Sequence, residues 1–450
     1  MAGSVDAQLQ AHFARPGRQE DLTFAYWRPS LGERRFTALV GELVLPDEAE
    51  RLLDGNVAFT VDYLARVLAA RPRECGIALL HSHFTGGWQD MSRDDEIAER
   101  DRLASAVAGA SGLPLLGLTW GTDGTWSARF WGRTGRYSYQ RLDTARVRVV
   151  GRDCMSTSFH PILAPPPPDE PSQRATVSVW GPRTQADLAR TRVGIVGLGS
   201  VGSIVSEALM RTGVREVVLI DHDRIEERNL DRTLHANDRH AAGAIPKVAV
   251  AADAAEASHT ARSIDVKAVR SEVQSAQALK ALLDCDAIVS CVDRPWPRWI
   301  LNTVSYAHLI PVVDGGIQAR VDAKGLPLHV DWRIHTAGPE RACLVCLGAV
   351  RRSDAALDRD GLLDDPDYLQ GLCDDDRERY NRRNVFAFSL ATAAHEVLQL
   401  VGLVSGSPRI GGIGPQHYAA YPGHLTVEPT TSCRPDCEFA AMTATGSASI

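Results

Sequence analysis

Between Arg192 and Arg232 the chain spells a strand, a glycine turn, a helix, a second strand and a polar loop without interruption, and everything else must be arranged around that run. Val193, Gly194, Ile195 and Val196 make the short apolar run of a buried parallel strand. Gly197-Leu198-Gly199-Ser200-Val201-Gly202 follows at once. Such glycines let the backbone bend tightly and come close to an anion. A helix opening at about Val201 aims unpaired N–H groups at the same spot. The next apolar run, 217–220, ends in Asp221, placed where a carboxylate can accept hydrogen bonds from a ribose. The pattern is therefore that of a nucleotide-binding β-α-β unit, and with the later runs at 264–269, 287–292 and 311–313 it predicts a Rossmann-like, doubly wound α/β sheet.

The residues after Asp221 narrow the ligand. Asn229, Arg232 and Lys247 bring extra polar and cationic groups towards one crevice. A dinucleotide, which carries only a pyrophosphate, has little use for them, whereas a triphosphate being split does. Here the chain resembles the ThiF and MoeB family of adenylating enzymes over roughly residues 175 to 440. The resemblance continues through Ser290-Cys291-Val292-Asp293, where the family has Cys-Thr-Asp-Asn, and through Cys343-Leu344-Val345-Cys346. It implies ATP as the nucleotide, held by Gly197, Gly199, Ser200, Gly202, Asp221, Asn229, Arg232, Lys247 and Asp293. Arg232 and Lys247 would clamp the phosphates and Asp293 would hold Mg2+, with Arg294 standing where the family has Asn. It also implies a small ubiquitin-like or sulfur-carrier protein as partner, a homodimer in which Arg174 reaches the second site, a conjugating enzyme downstream, and Cys373 as acceptor of the activated acyl group. Arg377 or Arg379 would have to turn towards that thiol, because the neighbouring acids Asp374, Asp375 and Asp376 would otherwise raise its pKa.

The cysteines carry a second message. Cys343 and Cys346 form a Cys-x-x-Cys, and Cys433 and Cys437 a Cys-x-x-x-Cys; two such pairs can close a four-thiolate structural zinc site. Cys285 and Cys291 fall in or beside apolar strands and read as core.

Upstream, residues 22–27 and 36–45 read as strands, residues 61–68 as an amphipathic helix and residues 75–80 as an apolar strand running into His81-Ser82-His83. Residues two apart on a strand share a face, so His81 and His83 can address one metal ion. This stretch, roughly residues 20 to 150, resembles the JAMM metalloproteases, which implies zinc on His-x-His and on the Asp of a Ser-x-x-Asp. The family's loop length selects Asp94, and the pairing with Ser92 selects Asp95, the preferred ligand. The upstream Glu that handles the water is best matched by Glu42, with Glu33 as the other choice. The expectation is thus a smaller α/β JAMM-like domain over residues 1–160, a proline-rich spacer at 161–175 carrying Pro165 to Pro168, and the adenylation domain at 176–450.

Composition sets the outer limits. Hydrophobic content of 44% and charged content of 23% are globular values, and 450 residues exceed one ordinary domain. The net charge of -7, with no long basic run, argues against a nucleic-acid surface. The first residues lack the h-region of a signal peptide, and no apolar run reaches a membrane span, so a cytoplasmic location is expected. Both tails, to about Arg18 and beyond about Ala441, are expected to be disordered. Three other readings compete: activation of a sulfur carrier for sulfur transfer, a nicotinamide oxidoreductase suggested by the glycine turn alone, and a metal-free N-terminal module that recruits the partner.

Overall fold

The computed structural model describes residues 1–450 except 16–18, 55, 137, 323, 325, 374–376, 378–379, 381–382, 408, 411–413 and 447–450. Two sheets dominate it. The first has the order β2-β1-β5-β6-β7-β8, from β1 (Leu22–Leu31), β2 (Phe36–Val44), β5 (Gly76–Ser82), β6 (Leu115–Trp120), β7 (Trp126–Arg133) and β8 (Tyr139–Asp143), with β3 (Arg51–Asp54) and β4 (Asn56–Phe59) as a separate hairpin. Only β5 and β6 pair in parallel. Its central strands are buried on both faces, which explains why β1 reads as a nearly unbroken apolar run. Ala25 and Trp27 pack under helix α1 (Gly3–Phe13), and Phe24 and Tyr26 pack under the helices Val61–Ala70 and Ala104–Ser111. Helix α1 occupies most of the stretch expected to be a loose tail. Its Leu9 and Phe13 are buried, and apolar positions four apart suffice for one docked face.

The second sheet has the order β13-β12-β11-β14-β15-β16-β17-β18, with β11 (Arg192–Val196), β12 (Glu216–Ile220), β13 (Asp265–Val269), β14 (Ala287–Ser290), β15 (Val312–Val321), β16 (Pro327–Ala337), β17 (Gln416–Ala419) and β18 (His424–Val427). The five strands from β13 to β15 are parallel and the last three antiparallel. Helices cover both faces. Helix α2 (Arg174–Ala189), kinked at Gly181-Pro182, precedes β11, and α3 (Ser200–Arg211) follows the glycine turn. Helix α4 (Pro295–Ala307) follows β14. The stretch 349–384, expected as loop, contains the short helices α5 (Arg352–Arg359) and α6 (Pro366–Gly371). Helix α7 (Phe386–Ser405) is long and apolar enough to cross a bilayer, yet it lies against β15 and β16, with Glu396 fully buried in its middle.

The two halves meet directly, and this corrects the expected spacer. Turn 32–35, between β1 and β2, wraps Asp284, whose carboxylate accepts the N–H groups of Arg34 and Arg35 at 2.9 to 3.0 Å. Asp286, at the start of β14, accepts Arg35, Arg146 and Arg148 at 3.0, 2.8 and 2.7 Å, together with the Arg192 N–H at 2.8 Å. Arg146 and Arg148 stand on β9 (Arg146–Val150), paired with β10 (Met155–Phe159). Buried Arg341 donates to the carbonyls of Gly151 and Arg152 at 3.1 and 2.7 Å. The proline run therefore lies along a closed interface: Arg190 donates to the Ala164 carbonyl and Ser172 to that of Thr260. Beyond Ala441 the chain is also tied down, with Ala444 and Gly446 donating to Tyr306 and Ala307.

Candidate functional site

A crevice of about 1370 Å³ opens at the carboxyl ends of β11, β12 and β14. Gly197, Gly199, Ser200, Asp221, Asn229, Arg232, Lys247 and Asp293 all line it. Gly197 needs to be glycine, since its φ is +87° and a Cβ there would sit 2.7 Å from the Cys291 carbonyl oxygen. A Cβ on Gly202 would collide with the Gly197 carbonyl. One on Gly199 would meet no protein atom, so this face of the turn is open to a ligand. Helix α3 starts at Ser200 without a side-chain cap, leaving its first N–H groups for an anion.

The polar residues divide between building the crevice and facing it. Asp221 builds: its carboxylate accepts the Leu198 N–H at 2.6 Å and the Asp223 N–H at 2.8 Å, fixing the glycine turn to the end of β12. Asn229 also builds, accepting the Glu226 N–H at 3.0 Å. Asp223, which the sequence reading passed over, faces the crevice half-exposed and pairs with Lys247 at 2.7 Å. Burial opposes its charge, but the Lys247 ammonium more than offsets that and holds its pKa below the usual carboxylate value. The Arg232 guanidinium donates to the Arg228 carbonyl and to Asp231, both at 2.7 Å, within the same wall. Ser200 accepts from Asn384, which ties the end of the 349–384 segment to the glycine turn. Cys373 lies in that segment and is exposed. Arg377 donates to the carbonyls of Leu369, Gln370 and Leu372, capping the end of α6. Asp374, Asp375, Asp376 and Arg379 lie outside the described residues.

Among the described residues three groups could hold a metal ion: Asp221, His222 and Asp223 at the crevice, and two clusters outside it. Cys343, Cys346, Cys433 and Cys437 have their sulfurs within 4.8 Å of one another. The Cys343–Cys437 separation of 3.7 Å is close to the ~3.8 Å edge of a tetrahedron with ~2.3 Å zinc–sulfur bonds. The Cys343 and Cys346 N–H groups point at sulfurs of the set, an arrangement that stabilises thiolates.

The other cluster is in the first sheet. His81 and His83 share with Ile77 and Leu79 the face under the helix that begins at Arg93, so Asp95 is carried over them. His81 Nε2 and His83 Nε2 are 3.2 Å apart, and Asp95 oxygens lie 3.7 and 3.3 Å from them. A zinc ion with ~2.1 Å bonds needs ligand edges of about 3.4 Å. These three fit, and a fourth position stays open. Ser92 donates to Asp95 at 2.7 Å in a capping box, while Asp94 faces solvent. Burial lowers the His81 pKa to about 3, which keeps the ring neutral as a ligand must be. Behind it stands a buried charge pair, Glu99 with Arg129, and Arg129 also donates to Thr119, whose hydroxyl is 3.4 Å from His81.

Glu42 does not belong to this site. Leu22 pairs with His81, whereas Glu42 lies exposed on β2 beside Tyr26, which pairs with Ile77, four residues down the ladder from His81. Glu33 is in the docking turn, paired with Lys267. The acid near the cluster is Glu20, half-buried and within electrostatic reach of His83 and Asp95. It precedes β1, two residues before Leu22, the partner of His81, and no local pattern in the sequence marks it.

Residues 172–397, half of the chain, match the ThiF family. The chain belongs to the ThiF family. Among its relatives, the SAMP-activating enzyme E1 of Haloferax volcanii is 29% identical over 40% of this chain and 61% of its own length. The molybdopterin-synthase adenylyltransferase of Escherichia coli is 33% identical over 29% of this chain and 51% of its own length. The UBA4 adenylyltransferase and sulfurtransferase of Yarrowia lipolytica is 30% identical over 30% and 33%. The chain thus spans 33 to 61% of these curated relatives. Among solved structures, E. coli MccB with ATP overlaps 60% of this chain and 74% of its own at a TM-score of 0.46 and 15% identity. The ThiF match excludes the first sheet, with its His81, His83 and Asp95 cluster.

Proposed function

We propose that this ThiF-family chain adenylates the C-terminal carboxylate of a small ubiquitin-like or sulfur-carrier protein at the expense of ATP. The observation that carries this is the single crevice in which the open glycine turn, Asp223, Arg232, Lys247 and Asp293 converge at the carboxyl edge of the sheet. Relatives named for activating SAMP, molybdopterin synthase and the sulfur carrier ThiS support the substrate class. A carboxylate oxygen of the partner attacks the α-phosphorus. The bond to the β-phosphate oxygen breaks, and pyrophosphate leaves with its electron pair. The protein's task is position and positive charge. Arg232 and Lys247 face the phosphates, Asp223 takes the ribose, and Asp293 holds magnesium, which would neutralise charge on the departing oxygens. The Cys373 thiolate would then attack the acyl carbon, the bond from that carbon to the phosphate oxygen would break, and AMP would leave as the thioester forms. A homodimer and a conjugating enzyme remain part of this reading.

The first domain is proposed to hold zinc on His81, His83 and Asp95 and to hydrolyse an amide bond of the same partner. Zinc supplies a hydroxide at neutral pH when bound. Ser92 would orient Asp95, and Glu20 rather than Glu42 would carry the proton, a role supported by its electrostatic reach to His83 and Asp95. The four-cysteine cluster would hold a structural zinc. Both parts are tested with purified full-length protein. ATP–pyrophosphate exchange should appear only with a small protein ending in a free carboxylate, and Asp293→Ala should abolish it. Reduction of NAD without exchange overturns the reading.

A further inference from the structure

Arg294 occupies the position after Asp293, where the resemblance has Asn, and the structure gives it two ion pairs and one nitrogen without a partner among the described residues. Its Nε pairs with Asp358 at 2.7 Å and its Nη2 with Asp364, both on the segment that leads through α6 to Cys373. Asp358 is 97% buried by its side chain, at 3% exposure, and its second oxygen accepts the Trp296 N–H at 2.8 Å. Helix α4 has no cap from its own Arg294, so Asp358 caps it from another segment. The remaining guanidinium nitrogen, Nη1, is buried without a hydrogen-bond partner among the described residues. Arg294 lines the crevice beside Asp293, and Asp354, Asp358, Leu363 and Asp364 form the wall next to it.

An orphaned buried guanidinium N–H costs stability unless something occupies it part of the time. The ligand whose chemistry fits is an anionic oxygen, because a planar guanidinium binds phosphate and carboxylate in the same plane. We propose that Arg294 is a positioning residue that takes a phosphate oxygen of the bound nucleotide on Nη1 while it keeps Asp358 and Asp364 on its other nitrogens. One side chain thereby ties the Cys373-bearing segment to the filled crevice. The inference rests on the adenylation reading and adds what makes the segment sense the nucleotide. It assigns to Arg294 something an Asn could not do, since an amide cannot reach two carboxylates and an anion together.

The test is backbone hydrogen exchange of the full-length protein with and without ATP and magnesium. In the unchanged protein, nucleotide should slow exchange across 352–372 about tenfold as well as at the glycine turn 197–203. In Arg294→Gln the slowing at 352–372 should vanish while that at 197–203 stays, and KM for ATP should rise about tenfold with kcat changing less. Arg294→Lys, with one point charge, should recover part of KM and little of the protection. Because Arg294→Gln leaves Asp358 without its cation and could unfold, Asp364→Asn serves as second variant. Asp364 is 67% exposed, so its loss tests the tie without emptying the interior. Protection of 352–372 that persists in folded Arg294→Gln, or undiminished in Asp364→Asn, overturns the proposal. Absence of protection at 197–203 in the unchanged protein overturns the nucleotide site, and the Arg294 assignment with it.

Discussion

Lys247 already has a partner, so a triphosphate entering the crevice must draw its ammonium from Asp223. That exchange leaves Asp223 free to accept from a ribose. Lys247→Ala should lower the exchange rate about 100-fold or more, the usual cost of losing a charge aimed at a phosphoryl transition state. Asp223→Asn should act mainly on KM for ATP. Steady-state exchange kinetics separate the two. For metal, the full protein should carry about two zinc ions per chain. Emission analysis of His83→Ala should show one lost with the fold intact, because that site is open and near a surface. Cys433→Ser should lose the other and unfold the region around Phe439 and Tyr306, which pack on the thiols. Retention of both zincs in a His81→Ala, His83→Ala double variant refutes the first site. That Asp95 rather than Asp94 stands beside His81 and His83 was legible in the sequence, because a capping box is a local pattern that also aims the third residue inward. The acid beside the cluster was not. Its position depends on which β1 residue lies opposite His81, and register between strands sixty residues apart has no local signature.

At the level of elements, the glycine turn and the parallel strands were readable because their apolar runs and glycines act over a few residues. The antiparallel hairpins from β15 to β18 were not, since β15 turns from a buried strand into a half-exposed one at Gly316, and its pattern changes with it. The clamp on Asp286 was equally hidden: its arginines come from positions 35, 146 and 148, and only the folded chain gathers them. Removing its charge by Asp286→Asn leaves three arginines facing a neutral group and should cost about 3 to 5 kcal/mol in urea unfolding. The interface should also weaken in acid in two stages. Burial lowers the pKa of His308, bonded to Ser30 at 2.8 Å, to about 4. Below the unfolded value of about 6.5 the unfolded chain therefore binds a proton that the folded one refuses, and stability falls between pH 6.5 and 4 by about 3 kcal/mol. Asp286, though burial opposes its charge, is held well below the usual carboxylate range by Arg146, Arg35 and Arg148. Its contribution is complete above the unfolded value of about 3.9 and is lost as pH falls below it. Urea midpoints from pH 7 to 3 should show both limbs, and His308→Asn should reduce the upper one without removing it, because buried His335, its pKa also lowered to about 4, titrates over the same range.

Across the whole molecule, the first domain sits on the amino edge of the second sheet and the crevice opens at the carboxyl edge. At least a strand's length, about 16 Å for five residues, separates the interface from the crevice. A tail cut at His81 and His83 would have to leave before it is adenylated, so the two sites should not need to share a chain. Mixing His83→Ala protein with Asp293→Ala protein should activate a partner that carries residues beyond its terminal glycine about as fast as the unchanged protein does. If the mixture is inactive while each variant keeps its own remaining activity, the tail is passed directly between the sites instead.

The same clamp has a consequence for how the molecule is made. Arg148 leaves the ribosome 138 residues ahead of Asp286. At about 5 to 20 residues per second this is an interval of roughly 7 to 30 s. During it the first sheet can fold, but Arg35, Arg146 and Arg148 face water as an uncompensated positive patch. Those arginines stay without their shared partner until the acidic start of β14 emerges and takes them for itself.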